Sequence, residues 1–151
     1  MTKATGEDTR TLEILLVEDA PGDVRLASEA LKLLPIENRI HVAADGQEAL
    51  NYLRQRESYA GESLPDLVLL DLNLPRVNGH EVLQKMKNDP RLKHIPVVVL
   101  TSSKNEEDVL KAYDAYANCY VTKPTDWSEY SSAIQSIGDF WFNFVKLPST
   151  S

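Results

Sequence analysis

The run Leu67-Val68-Leu69-Leu70, followed at once by Asp71, constrains this chain more than any other stretch. Four consecutive aliphatic residues leave no polar face, so they predict a strand covered on both sides, as in a parallel sheet. The loop formers Asn73, Pro75, Asn78 and Gly79 come next and put Asp71 at the strand's carboxyl end. In an open parallel sheet those ends face the crevice where ligands bind. A lone acid there is more often the start of a turn, so the rest of the chain has to decide between the two readings.

The same arrangement recurs. Leu12 to Val17 ends in Glu18-Asp19, Ile95 to Leu100 ends in Thr101-Ser102-Ser103, and Cys119 to Val121 ends in Thr122-Lys123-Pro124. Asn38 to Ala43 is a further short strand leading to Asp45-Gly46. Between the strands, apolar residues recur at helical spacing. Pro21 and Gly22 turn the chain into a helix carrying Val24, Ala27, Ala30 and Leu31. Asp45 caps one with Ala49, Leu50 and Leu53, and a third carries Val82, Leu83 and Met86. Ser103 and Glu106 have capping-box spacing ahead of Val109, Leu110, Ala112 and Tyr113, all predicted to face inward. Asp126 caps a last helix from Trp127 to Leu147.

Five strands alternating with five helices predict an α/β fold with a doubly wound parallel sheet. Right-handed crossovers bring every strand's carboxyl end to one rim, which collects Glu18, Asp19, Asp71, Thr101 and Lys123. The pattern does not fix the strand order.

With 151 residues, one domain is expected, over residues 12–147, between a flexible leader (1–11) and a short tail (148–151). A formal net charge of −7 without a basic stripe argues against nucleic acid as a partner. No apolar run approaches the about 20 residues a bilayer span needs, and the polar start lacks a signal peptide's apolar core. The single cysteine, Cys119, allows no internal disulfide, in keeping with a cytoplasmic location, and reads as a small packed residue. His41 lies in a strand with no second ligand at metal spacing and reads as structural or exposed, not as a metal ligand. The polar stretch Gln55 to Pro65 is longer than an ordinary helix-to-strand link and reads as a surface loop.

Three carboxylates at one rim repel one another, and a divalent cation relieves this. Oxygen donors without Cys or His favour Mg2+, with Mn2+ or Ca2+ able to take its place, on Glu18, Asp19, Asp71 and the backbone carbonyl of Asn73. An Asp carboxylate beside such an ion suits nucleophilic attack on phosphorus, giving an acyl phosphate. Lys123 and the Thr101 hydroxyl can then answer the charge on the phosphoryl oxygens. Each signal alone is weak; each at the end of a different strand, they make a specific set.

The acidic pair in Leu16-Val17-Glu18-Asp19, the acceptor in Leu70-Asp71-Leu72-Asn73-Leu74-Pro75, Gly79, Thr101 and Lys123-Pro124 together resemble a receiver domain of two-component signalling. That resemblance implies a flavodoxin-like (βα)5 fold with strand order 2-1-3-4-5. It also implies a cis Lys123-Pro124 peptide and a phosphoacceptor switch at Asp71. Such a switch is not an enzyme with turnover, catalysing only its own phosphoryl transfer and dephosphorylation. The family also implies a switch aromatic three positions before the lysine, here Tyr120, whose repacking with Thr101 changes the surface of the fourth helix, fifth strand and fifth helix. Asn73 and Ser103 then govern water access to the acyl phosphate.

The opening Val17-Glu18-Asp19-Ala20-Pro21-Gly22-Asp23, the polar stretch before Pro65 and the aromatic ending resemble the stand-alone response regulators that pair with cyanobacterial phytochromes. The expected partner is therefore a sensor histidine kinase of phytochrome type, with output through a further phosphotransfer or effector protein, since no other domain is expected after Leu147. A haloacid-dehalogenase-type phosphatase also uses Asp, magnesium and lysine, but places its Asp-x-Asp motif on the first strand and carries a cap. Neither feature is visible here. A bare binding scaffold is disfavoured by the complete acidic, hydroxyl and lysine set.

On the last helix, Ile134, Ile137, Trp141, Phe144 and Val145 form one inward stripe, and Phe140 and Phe142 fall off it. The aromatic surplus of Phe140, Trp141, Phe142 and Phe144 marks either a homodimer interface or a kinase dock, unless the helix end wraps its own domain.

Overall fold

A computed structural model describes residues 11–54 and 64–140. The expected leader, the stretch 55–63, the tail and the aromatics Trp141, Phe142 and Phe144 lie outside the described residues. Strands β1 (Leu12–Val17), β2 (Asn38–Ala43), β3 (Leu67–Leu70), β4 (Val97–Thr101) and β5 (Cys119–Thr122) alternate with helices α1 (Pro21–Lys32), α2 (Gly46–Leu53), α3 (Gly79–Lys87), α4 (Glu106–Asp114) and α5 (Trp127–Asp139). They form a single five-stranded sheet of order β2-β1-β3-β4-β5. Every pairing is parallel, with Leu16 opposite both Val42 and Leu69, and Leu70 opposite Val99.

Alternation along the central strands divides the core in two. Leu15, Val17, Val68, Leu70, Val97 and Val99 pack with Leu50, Leu53, Leu83 and Met86 of α2 and α3. Ile14, Leu16, Leu67, Leu69, Val98 and Leu100 pack on the other face with Ala27, Leu31, Tyr130 and Ile134 of α1 and α5. Burying one such aliphatic side chain contributes about 2 kcal/mol, so the central strands anchor the rim residues that follow them. The edge strands β2 and β5 are mostly half-buried. His41 on β2 stacks on Tyr52 with ring centroids 4.1 Å apart, and Cys119 on β5 is half-buried against the α1/α5 cluster.

Asp45 and Asp126 cap α2 and α5 as the sequence predicts, accepting from the N–H groups of Glu48 and Ser128. Asn78 caps α3 through the Glu81 N–H. The structure corrects three local expectations. Pro21 does not precede a helix but opens one, its fixed φ and missing N–H suiting the first helical position. The α4 cap is Asn105, not Ser103: the Ser103 hydroxyl donates instead to Asp108 Oδ2 at 2.6 Å. On α4 only Ala112 is buried, while Leu110 (62%) and Tyr113 (47%) are exposed. That helix lies at the sheet's β5 side, where there is little surface to cover.

Gly79 sits where the chain turns back under the Asp71 segment. A Cβ there would stand 2.3 Å from the Asp71 carbonyl oxygen and 2.5 Å from the Leu72 Cα. Any larger residue displaces the loop that carries Asp71.

Candidate functional site: an acidic rim closed by a lysine

Backbone hydrogen bonds between strand ends set the rim. The Asp71 N–H donates to Val17 O at 3.0 Å and the Glu18 N–H to Ala43 O at 3.0 Å, so the residues leaving β1 and β3 stand side by side. The Lys123 N–H donates to Thr101 O at 2.8 Å, which fastens the residue leaving β5 to the end of β4. From there the Lys123 side chain crosses the rim to Glu18 Oε1, to Asp23 Oδ2 at 2.9 Å and to Asp71 Oδ2 at 3.3 Å. One carboxylate oxygen each from Glu18, Asp19 and Asp71 lie within 4.8 Å of one another.

The charges are largely shielded from water: the side chains of Lys123, Glu18 and Asp71 are 8%, 4% and 10% exposed. Burial, reinforced by the nearby Asp71 charge, outweighs the Lys123 contact and pushes the Glu18 carboxyl up to about 7. Burial alone would lower the Lys123 ammonium, but its contacts with Glu18 and Asp23 and the Asp71 charge override that and raise it above the ordinary lysine value. The ammonium therefore stays charged at neutral pH, and Glu18 is the group that takes up a proton there.

Asn73 turns its backbone N–H back to Asp71 Oδ1 at 3.2 Å, orienting the carboxylate. With Asp19, Leu74, His80 and Asp108 it lines a cleft of about 380 Å³, to which the acidic cluster contributes Asp19. Thr101 is fully buried, and its hydroxyl accepts from the Ser103 N–H at 3.5 Å; it makes no hydrogen bond to Asp71. Tyr120 is half-buried, its hydroxyl donating to Ser103 O at 3.0 Å and its N–H to the Tyr113 hydroxyl at 3.2 Å.

Residues 14–135 match the family model for the response regulator receiver domain. The chain belongs to the response regulator receiver family. As such it is a phosphoaccepting module of two-component signalling. It is 45% identical to response regulator Rcp1 of Synechocystis sp. over 136 residues, 90% of this chain and 92% of that protein. It superimposes on the phosphorylated cyanobacterial phytochrome response regulator RcpA with a TM-score of 0.90 at 46% identity, over 93% of this chain and 100% of that one. The Mn2+-bound form of Rcp1 matches with a TM-score of 0.88 at 44% identity, over 91% and 99%.

Against this receiver frame, the structure gathers Glu18, Asp19, Asp71 and Lys123. It places Thr101 at the same rim without joining it to Asp71. The expected cis Lys123-Pro124 peptide is not observed, since no described peptide bond is cis. For an X-Pro bond the trans form is intrinsically favoured by about 0.5–1 kcal/mol, and Lys123 reaches all three carboxylates from it. Sequence reasoning missed Asp23, whose partner stands 100 residues away. It also missed the Asp108 bridge between Ser103 and His80 Nε2, at 2.6 and 3.2 Å, which ties α4 to α3. Among the described residues Leu33, Leu110, Tyr113, Tyr116, Trp127 and Phe140 are the large hydrophobic side chains open to solvent; of the four aromatics expected at a contact face, Phe140 is the one described, and it is exposed. Among the described residues no helix is long and apolar enough to cross a membrane.

Proposed function

We propose that Asp71 accepts the phosphoryl group from a phosphohistidine of a sensor kinase. The single observation that carries this is one carboxylate clustered with two further acids and met at 3.3 Å by a buried ammonium. An Asp71 oxygen forms the new O–P bond as the P–N bond breaks, and the leaving imidazole keeps the electron pair. Lys123 turns toward the phosphoryl oxygens, and Asn73 holds the Asp71 carboxylate in its attacking orientation.

The donor set fits a hard divalent ion: three carboxylate oxygens within 4.8 Å of one another and no Cys or His among them. Mg2+ would be held by Glu18, Asp19, Asp71 and the Asn73 carbonyl, and when bound it supplies charge neutralisation on the phosphoryl oxygens. Its binding should displace the Glu18 proton. The Glu18 carboxyl is raised in the folded state, so its proton favours the metal-free fold at low pH and that contribution fades as pH rises to about 7. Mg2+ affinity should therefore tighten by up to about tenfold per pH unit below 7 and level off above it. Calorimetric titration in buffers of different ionisation enthalpy reads this directly; an affinity flat between about pH 5.5 and 7 contradicts it.

The similarity to Rcp1 and RcpA supports a phytochrome-type kinase as the donor. Mixing the protein with such a kinase, radiolabelled on its histidine, is expected to move label to this chain with Mg2+ and not with chelator present. Transfer undiminished by chelator overturns the metal role, and no transfer from phytochrome-type kinases while another kinase class labels it overturns the partner. Readout then passes through Thr101 and Tyr120: a new bond from the Thr101 hydroxyl to the phosphoryl group draws on the loop whose Ser103 carbonyl Tyr120 holds. Homodimerisation through the exposed face of α4 and α5 would be the outcome. A change in sedimentation on phosphorylation that persists in Thr101→Ala removes Thr101 from that path.

A further inference from the structure

The Lys123 ammonium has three N–H donors, and the structure aims them at three carboxylates: Glu18, Asp23 and Asp71. Glu18 and Asp71 are shared with the acidic cluster of the rim; Asp23 is outside it. Asp23 is the third residue of α1, reached only because Pro21 opens that helix directly after the acidic pair. Its 2.9 Å contact is shorter than the 3.3 Å one to Asp71, and its side chain is 37% exposed while Lys123 is 8% exposed.

We infer that Asp23 is a positioning residue: it anchors the Lys123 ammonium from α1, so that a divalent cation can take the charge of Glu18 and Asp71 without the lysine competing for the same oxygens. The inference rests on the proposed metal-dependent function. Two cations share this rim once a metal enters, and they repel one another. Glu18 and Asp71 then have less charge to offer the ammonium, which leaves Asp23 as its anionic partner until a phosphoryl group arrives. Removing the Asp23 charge frees the ammonium to fall back on Glu18 and Asp71, the oxygens the metal needs. The ammonium would then act as an internal competitor.

The test is a double-mutant cycle read by calorimetric titration with Mg2+ at about pH 8, where Glu18 is ionised. Asp23→Asn is expected to raise the Mg2+ Kd by about fivefold, the scale of a part-exposed charge pair. In a Lys123→Met background the same substitution should change Kd by less than about twofold, because no competitor remains. At saturating Mg2+, Asp23→Asn should still be labelled by acetyl phosphate at a rate within about twofold of the unsubstituted protein, a split that a merely structural role would not produce. The inference is overturned if Asp23→Asn leaves Kd within twofold, or if it weakens binding equally in both backgrounds, as a direct ligand or a long-range field would. Failure of the unsubstituted protein to bind Mg2+ at all would instead overturn the metal-dependent function on which the inference stands.

Discussion

Lys123→Met is expected to destabilise the metal-free protein by about 3 kcal/mol at pH 8, as measured by urea unfolding. The substitution keeps the length and apolar stem of the side chain and deletes the charge. Glu18 and Asp71, 4% and 10% exposed, are then left without their cation. The loss should shrink toward about pH 6, because Glu18, already raised to about 7 with the lysine present, escapes part of the cost by taking a proton. Mg2+ should restore much of the stability, since it supplies the missing positive charge. Phosphoryl transfer should nevertheless slow by about a hundredfold with metal saturating, for want of a cation facing the phosphoryl oxygens. Unchanged stability at pH 8 would mean that the three carboxylates are satisfied in some other way.

Asp71→Asn should act in opposite directions on function and stability. Phosphoryl uptake should fall to background, because an amide oxygen is no nucleophile toward phosphorus. The fold should gain about 1 kcal/mol in metal-free buffer at pH 8. The Asn side chain can still accept from the Asn73 N–H, while the repulsion that Asp71 exerts on Glu18 disappears. Unfolding midpoints with and without Mg2+ check this, and the stabilisation should vanish in the presence of metal. Such a gain on removing the acceptor is the signature of a site that holds unfavourable charge for the sake of its chemistry.

Much of this was legible in the chain because it rests on strong local signals. The aliphatic runs are long enough to fix five strands, and Asp45 and Asp126 announce their helices by hydrogen bonds to backbone N–H groups a few residues on. The convergence of Glu18, Asp19, Asp71 and Lys123 follows from crossover handedness alone. The strand order needed the family resemblance, since hydrophobic periodicity carries no information on which strand lies beside which.

The rest depends on neighbours that a linear reading cannot see. Leu110 and Tyr113 have inward-facing spacing, but α4 meets the sheet at its edge strand β5, where Leu110 stays exposed and the Tyr113 hydroxyl accepts from the Tyr120 N–H. Ser103 has the spacing of a cap, yet it stands too far before the helix: its oxygen accepts from the Asn105 N–H, its hydroxyl donates to Asp108, and Asn105, next to the first helical residue, takes the Glu107 N–H. Asp23 carries no local signal of its role; the helix beginning at Pro21 turns it toward a lysine 100 residues away. The prolyl bond after Lys123 was implied by family likeness, not by any property of its neighbours, and it is trans here.

The position of the phosphoryl group decides most directly whether Asp71 is the acceptor. Labelled protein is reduced with borohydride, which converts an aspartyl phosphate irreversibly to the alcohol, and the peptides are then sequenced. One reduced side chain is expected, at position 71, in a protein whose label hydroxylamine releases. A reduced carboxylate elsewhere on the chain, label on Ser or Thr that resists hydroxylamine, or labelled His with no reduced side chain at position 71 would contradict Asp71 as the acceptor.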